Sequence, residues 1–226
     1  DGRPLLLLGV ESRFEPSSAW TFDGGHVPIS VTLADVDDDG DTDAALVGEH
    51  TVIAWQNAGH FQSAEDDLGA CRRVAFGDAD HDGDADITCA RGTLGLWSND
   101  GSGRFRDIGS QAGVGGTAVR HVVFSDLDVD RDVDLVVAGA HGLSLLSNNR
   151  DGTFSEVAAS RQVTAEDVRA LAVADFDPDG SMDIAVVTGT DARLFVNGGA
   201  RFTALAVDLP TGAEGLVAAD MDNDGD

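Results

Sequence analysis

Apolar and polar positions along this chain change places in short runs, not at helical spacing, and the runs recur. The segments "VTLAD", "RVAFGD", "HVVFSD", "LAVAD" and "LVAAD" alternate for a few residues and end on an aspartate. After a polar loop, the first four are followed by a continuous apolar run ("DAALVG", "DITCA", "DLVVAG", "DIAVVTG"). A third run ("TVIAWQN", "TLGLWSN", "LSLLSNN", "ARLFVN"), an Asn/Gly turn and a fourth segment opening on phenylalanine complete each unit. Short alternating runs bounded by turn residues predict strands, and tight turns between them predict antiparallel hairpins.

Two unrelated markers carry one period. The first aspartates of the polar loops are Asp35, Asp78, Asp126, Asp175 and Asp220, at steps of 43, 48, 49 and 45 residues. Phe14, Phe61, Phe105, Phe154 and Phe202, each just after a turn, step by 47, 44, 49 and 48. A unit of about 46 residues with four strands predicts a propeller blade, because one such sheet needs neighbours stacked around an axis to cover both its faces. The expected fold is therefore all-β, a single β-propeller domain over residues 1–226 built of four-stranded antiparallel blades. Four complete blades are expected at about 29–67, 68–115, 116–163 and 164–210, with partial blades at 1–28 and 211–226. Aligning Phe14 with Phe61 makes "LLLLGVESRF" a third and fourth strand, and Gly24 and Gly25 precede Asp35 as Gly115 and Gly116 precede Asp126. The expectation is 19 strands, either as part of a ring of about six to eight blades or as a five-bladed ring with an imperfect seam.

Composition sharpens this picture. The formal net charge is −27, but 24 of the 41 acidic residues sit in the five loops 35–43, 78–86, 126–134, 175–183 and 220–226. Outside them 17 acids face 13 bases, so the rest of the surface is near balance. An acidic disordered tail would spread its charge, and a nucleic-acid binder would need a basic stripe. All 14 basic residues are arginine and there is no tyrosine, which removes lysine Schiff bases and tyrosine acid–base chemistry. No run of 18 apolar residues predicts membrane insertion of this segment.

The loops read "DVDDDGDTD", "DADHDGDAD", "DLDVDRDVD", "DFDPDGSMD" and "DMDNDGD", sharing D-x-D-x-D-G-x-x-D. Alternate carboxylates in a tight loop turn inward, glycine permits the reversal, the next residue offers its carbonyl, and the ninth supplies a further carboxylate. Two carboxylates ~5 Å apart repel by roughly 3 kcal/mol at an effective dielectric of 20, so the converging groups call for a cation. All-oxygen ligation with flexible geometry suits Ca²⁺, whereas zinc prefers nitrogen or sulfur. An EF-hand would need glutamate at position twelve, where Leu46, Cys89, Val137 and Val186 stand, and helices on either side. The candidate metal residues are Asp35, Asp37, Asp39, Asp41 and Asp43; Asp78, Asp80, Asp82, Asp84 and Asp86; and Asp126, Asp128, Asp130, Asp132 and Asp134. To these add Asp175, Asp177, Asp179, Ser181 and Asp183, and Asp220, Asp222, Asp224 and Asp226. About four Ca²⁺ sites are expected, with the fifth open because its loop lacks a ninth residue, and Arg131 in the glycine place should strain the third turn.

These loops, in register with strands, resemble the FG-GAP and VCBS repeat family, the calcium-loop propellers that include the integrin α-subunit head. "NNRDGTFSEVAA" followed by "VRALAVADFDPDGSMD" is most similar to repeats of bacterial secreted proteins related to cartilage acidic protein. The resemblance implies a non-catalytic recognition or adhesion module for protein or glycan, secreted, periplasmic or at the cell surface. It also implies, as the alternative, a polysaccharide lyase or other carbohydrate-active enzyme on the same propeller.

The remaining candidates are of lower periodicity. The phenylalanines recur at one strand position and are expected in the core, as are Trp55 and Trp97, whereas Trp20 lies in a linker where a ligand would be met. Arg72, Arg120 and Arg169 each stand six residues before a loop aspartate, where they either pair with a nearby loop carboxylate or line the channel mouth and attract an anion. His81, at a variable place inside a loop, is expected to face solvent. Cys71 and Cys89 flank one loop on adjacent strands, placed either for a cross-strand disulfide or as two buried thiols.

Overall fold

The computed structural model describes residues 7–10, 13–16, 28–57, 60–114, 118–158, 161–208, 210 and 213–219. These residues form strands and no helix. A two-stranded antiparallel hairpin pairs β1 (Leu7–Val10) with β2 (Arg13–Pro16), with Gly9 opposite Phe14. Four four-stranded antiparallel meanders follow. The first comprises β3 (Ser30–Ala34), β4 (Asp43–Val47), β5 (Val52–Asn57) and β6 (His60–Asp67). The second comprises β7 (Arg73–Gly77), β8 (Asp86–Ala90), β9 (Leu94–Asn99) and β10 (Phe105–Asp107). The third comprises β11 (Val119–Ser125), β12 (Asp134–Gly139), β13 (Gly142–Asn148) and β14 (Phe154–Glu156). The fourth comprises β15 (Val168–Ala174), β16 (Asp183–Thr188), β17 (Ala192–Asn197) and β18 (Phe202–Ala206).

These are propeller blades. The first strands β3, β7, β11 and β15 are each others' neighbours from sheet to sheet, as innermost strands around an axis must be. The second strands β4, β8, β12 and β16 are buried along their whole length, which is why their sequences run apolar without alternation. The core lies between blades. At the junction of the third and fourth, Leu127, Val136, Leu145, Val168, Ile184, Val186 and Phe195 are at most 1% exposed. Burying such a side chain stabilises by about 1.5–3 kcal/mol, and an isolated sheet would leave one face of each in water.

The sequence led to a nineteenth strand at "LVAAD", and the structure corrects this. Residues 213–219 are not a strand. Leu216 instead packs with Ala213 and Val207 against Ala170, Val187 and Ala192 of the fourth blade.

Candidate functional site

Each described Asp loop joins a first strand to a second and is folded by its own carboxylates. The first aspartate accepts from the backbone of the sixth residue: Gly40 N–H donates to Asp35 at 3.0 Å, Gly83 to Asp78 at 3.1 Å, Arg131 to Asp126 at 2.9 Å and Gly180 to Asp175 at 2.8 Å. The fifth, Asp39, Asp82, Asp130 or Asp179, accepts from the seventh, Asp41, Asp84, Asp132 or Ser181, at 2.8–3.0 Å. The sixth residue has φ of +86°, +96° and +89° at Gly40, Gly83 and Gly180, and +77° at Arg131, where a side chain is strained.

The ninth aspartate is the staple of each blade. Asp43, Asp86, Asp134 and Asp183 are at most 2% exposed. One oxygen of each accepts from the second loop residue, Val36, Ala79, Leu127 or Phe176, at 2.7–3.0 Å. The other accepts from the third strand, at the N–H of Gln56, Asn99, Asn148 or Asn197, at 2.7–2.9 Å. Burial pushes the Asp86 carboxyl up to about 7 and that of Asp134 up to about 6, against the lowering effect of these same bonds.

Carboxylate oxygens converge in all four described loops. Triads Asp35/Asp37/Asp39, Asp78/Asp80/Asp86, Asp126/Asp128/Asp134 and Asp175/Asp177/Asp183 each bring one oxygen per residue within 4.8 Å of the others. Burial raises the third-position carboxyls of Asp37, Asp80, Asp128 and Asp177, and neighbouring carboxylates add to it. Asp37 and Asp80 each hold one oxygen buried with no hydrogen-bond partner. A like-charged donor set made only of oxygen, in two loops with one buried oxygen left orphaned, fits a hard divalent cation. The side chains of Asp41, Asp43, Asp82, Asp84, Asp130, Asp132, Asp179 and Ser181 stand outside these triads.

The third loop differs from its neighbours. Arg150 takes a left-handed conformation (φ +63°) in the turn of the β13–β14 hairpin, where the second and fourth blades have Gly101 and Gly199. Its guanidinium bonds the Asp132 carboxylate and the Asp130 carbonyl, and lies 3.3 Å from the Asp130 carboxylate. His81 is not simply solvent-facing. Its Nε2 lies 3.0 Å from Asp132, linking position four of one loop to position seven of the next. The same place between the first two loops holds Asp38 and Asp84, and the Asp84 carboxyl is raised by burial, then by Asp82 and Asp38.

Sequence reasoning missed the clasp between blades. Asn99 Nδ2 donates to the Val36 carbonyl at 2.7 Å, Asn148 to Ala79 at 3.0 Å and Asn197 to Leu127 at 2.8 Å, each reaching the preceding blade's loop. The register Gln56↔Phe61, matching Asn99↔Phe105, puts glutamine at this place in the first blade. Buried Arg161 reinforces the last junction, donating to Leu127 and Gly199 carbonyls and Asn197 Oδ1 while its guanidinium sits 4.9 Å from the Phe202 ring.

Arg72, Arg120 and Arg169 do come together. With Ile29, Arg73, His121, Asp167 and Glu214 they line a cavity of about 440 Å³ where the first strands begin. The expected pairing with a metal-loop carboxylate is not what forms. Arg120 Nη1 donates to Asp167 at 2.9 Å and Arg169 Nη2 at 3.2 Å, and Asp167 belongs to the segment leading into β15. These bonds, Arg120's first, hold its carboxyl below the usual range. His121 Nε2 meets the Arg169 carbonyl at 2.7 Å; a carbonyl only accepts, so this nitrogen carries the proton, and burial keeps the ring's pKa down.

Cys71 and Cys89 are joined in a disulfide with their Cα atoms 5.7 Å apart. Trp97 is buried and Trp55 packs beside it in the first junction; Phe154 and Phe202 are buried and Phe105 half-buried. Trp20, Asp220, Asp222, Asp224 and Asp226, and the side chains of Phe14 and Phe61, lie outside the described residues.

Three comparisons bear on this geometry. The model of the FG-GAP-like repeat matches residues 126–186 and 175–226. Among solved structures, an Agrocybe aegerita lectin described for specific recognition of non-reducing terminal N-acetylglucosamine aligns at 25% identity and TM-score 0.51, over 77% of this chain and 50% of that one. The chain thus spans about half the length of that lectin. The Tc holotoxin pore of Photorhabdus luminescens aligns at 17% identity and TM-score 0.45, over 94% of this chain and 12% of that one. No curated protein sequence matches.

Proposed function

On the match of residues 126–226 to the FG-GAP-like repeat, we propose that the chain is a non-catalytic recognition module, a calcium-stabilised propeller that works outside the cell and binds glycan. The observation that carries the calcium part is a carboxylate triad in each of the four described loops, at loop positions one, three and nine in three of them and one, three and five in the first, two of the triads with a buried oxygen left unpartnered. Asp35, Asp37 and Asp39, and the corresponding triads of the other loops, would hold the ion; it would cancel the mutual repulsion of the carboxylates and fix the turn between first and second strands. The lectin likeness, at 25% identity, favours glycan over protein as ligand. An external location is supported by the Cys71–Cys89 disulfide and by loops of a kind that bind calcium at the millimolar levels found outside cells.

Thermal melting with and without calcium tests the first part. With Kd ~10⁻⁴ M, 2 mM calcium stabilises by about 2 kcal/mol per site, so excess EDTA should lower the melting temperature by many degrees. Superimposable curves would remove calcium from the reading. A glycan array in calcium buffer tests the second part, and an array with no bound glycan would remove glycan recognition.

A further inference from the structure

One position recurs at the axis without belonging to the metal loops. In each blade the residue six places before the first loop aspartate precedes the regular pairing of the innermost strand: Ile29, Arg72, Arg120 and Arg169, with Glu214 in the same place before Asp220. The ladders explain why these side chains converge. β11 is irregular between Val119 and His121 and β15 between Val168 and Ala170, so Arg120 and Arg169 are extra residues without a cross-strand partner. Arg72 shares Ala90 with Arg73, and Ile29 shares Val47 with Ser30. A bulge re-aims its side chain, and here repeated bulges aim theirs at one cavity of about 440 Å³.

The charge of that cavity is opposite to that of the molecule. Four arginines face two acids at its wall in a chain of net charge −27. Asp167, held at φ +46°, answers Arg120 and Arg169, while among the described residues Arg72 and Arg73 have no carboxylate within ion-pair distance. A second recess of about 290 Å³ offers a contrast, since its one arginine, Arg193, is already bonded to Asp191 and the Thr164 carbonyl.

We propose that this arginine-lined mouth binds the carboxylate of an acidic sugar in a glycan, with Arg72 as the principal guanidinium and Arg120 and Arg169 beside it. Arginine forks bind carboxylates through paired hydrogen bonds. The volume suits a unit the size of one sugar ring. Asp167 and Glu214 accept from sugar hydroxyls and disfavour a densely charged phosphate or sulfate. A peptide tail would gain little beyond its terminal carboxylate, because Ile29 is the one apolar side chain at the wall.

The inference rests on the glycan-recognition reading. The test is calorimetric titration of the full chain, in calcium, with a glucuronic-acid-terminated disaccharide, its carboxamide, a sulfated disaccharide and a short peptide with a free C-terminal carboxylate. The acidic disaccharide should bind about tenfold more tightly than each of the others, and Arg72→Gln should remove about tenfold of its affinity with an unchanged melting temperature. Arg120→Gln should weaken binding too, and rescue by Arg120→Lys should be partial. Equal binding of acid and carboxamide, preference for the sulfate or the peptide, or an unaffected Arg72→Gln would overturn the proposal. If neutral glycans alone bind, recognition stands and the acidic mouth falls; if no glycan binds on the array, the recognition reading itself has failed.

Discussion

Asn148 and Asn149 are neighbours in one turn with opposite expected worth. Asn148 is 7% exposed and makes three hydrogen bonds, to the Ala79 carbonyl across the blade junction at 3.0 Å, to the Val133 carbonyl at 3.3 Å, and from the Arg150 N–H at 3.0 Å. Replacing it by alanine removes all three and leaves buried carbonyls unpaired; at about 1 kcal/mol each the cost is about 3 kcal/mol. For a chain of this size that corresponds to a fall in melting temperature of roughly 6–12 °C. Asn149 bonds Thr153 and Ser155 at the exposed surface, so Asn149→Ala should cost about 0.5 kcal/mol or less. Both variants are compared by thermal melting and urea titration at fixed calcium. Equal midpoints for the two would refute the idea that this side chain clasps the blades together.

Arg131→Gly should stabilise by about 1 kcal/mol in a urea titration, because residue 131 holds φ +77° where the other loops have glycine; a lower midpoint would mean that the arginine side chain contributes something its geometry does not reveal. Reducing the Cys71–Cys89 bridge, which closes a separation of 18 residues, should cost about 3 kcal/mol, and the unreduced protein should take up no alkylating reagent in mass spectrometry. The Asp167 carboxyl is held below its ordinary 3.8, so its ion pairs stabilise fully above that value and lose their effect as pH falls through the lowered one. The melting difference between wild type and Asp167→Asn should therefore be constant at neutral pH and shrink in acid; a difference that grows in acid would contradict the pairing.

The architecture was legible because the sequence prints the same instruction several times. Aspartates in D-x-D-x-D-G-x-x-D and phenylalanines after each turn mark the period, and period plus strand alternation is enough to name a propeller blade. The clasp asparagines recur with equal regularity, but Asn before a turn has a sufficient local explanation, so its bond to another blade stayed hidden. Gln56 in the first blade further blurs that series. Arg150 and Arg161 act once each, and a repeat cannot announce what it does not repeat. At the mouth, the spacing of Arg72, Arg120 and Arg169 was visible. The bulges that aim them were not, because the extra residue is defined by the partner strand. Asp167 escaped notice because it lies outside every acidic loop, and the alternation in "LVAAD" did not tell a strand from a segment that packs Leu216 on the fourth blade.

The asparagine bonds have a direction. Asn99, Asn148 and Asn197 each reach back to a carbonyl, of Val36, Ala79 and Leu127, that lies at least 63 residues earlier in the chain. On a translating ribosome the acceptor of each of these three bonds is therefore synthesised before its donor. Docking can then follow the order of synthesis, each newly completed sheet latching onto a finished one and seldom having to wait for a later segment.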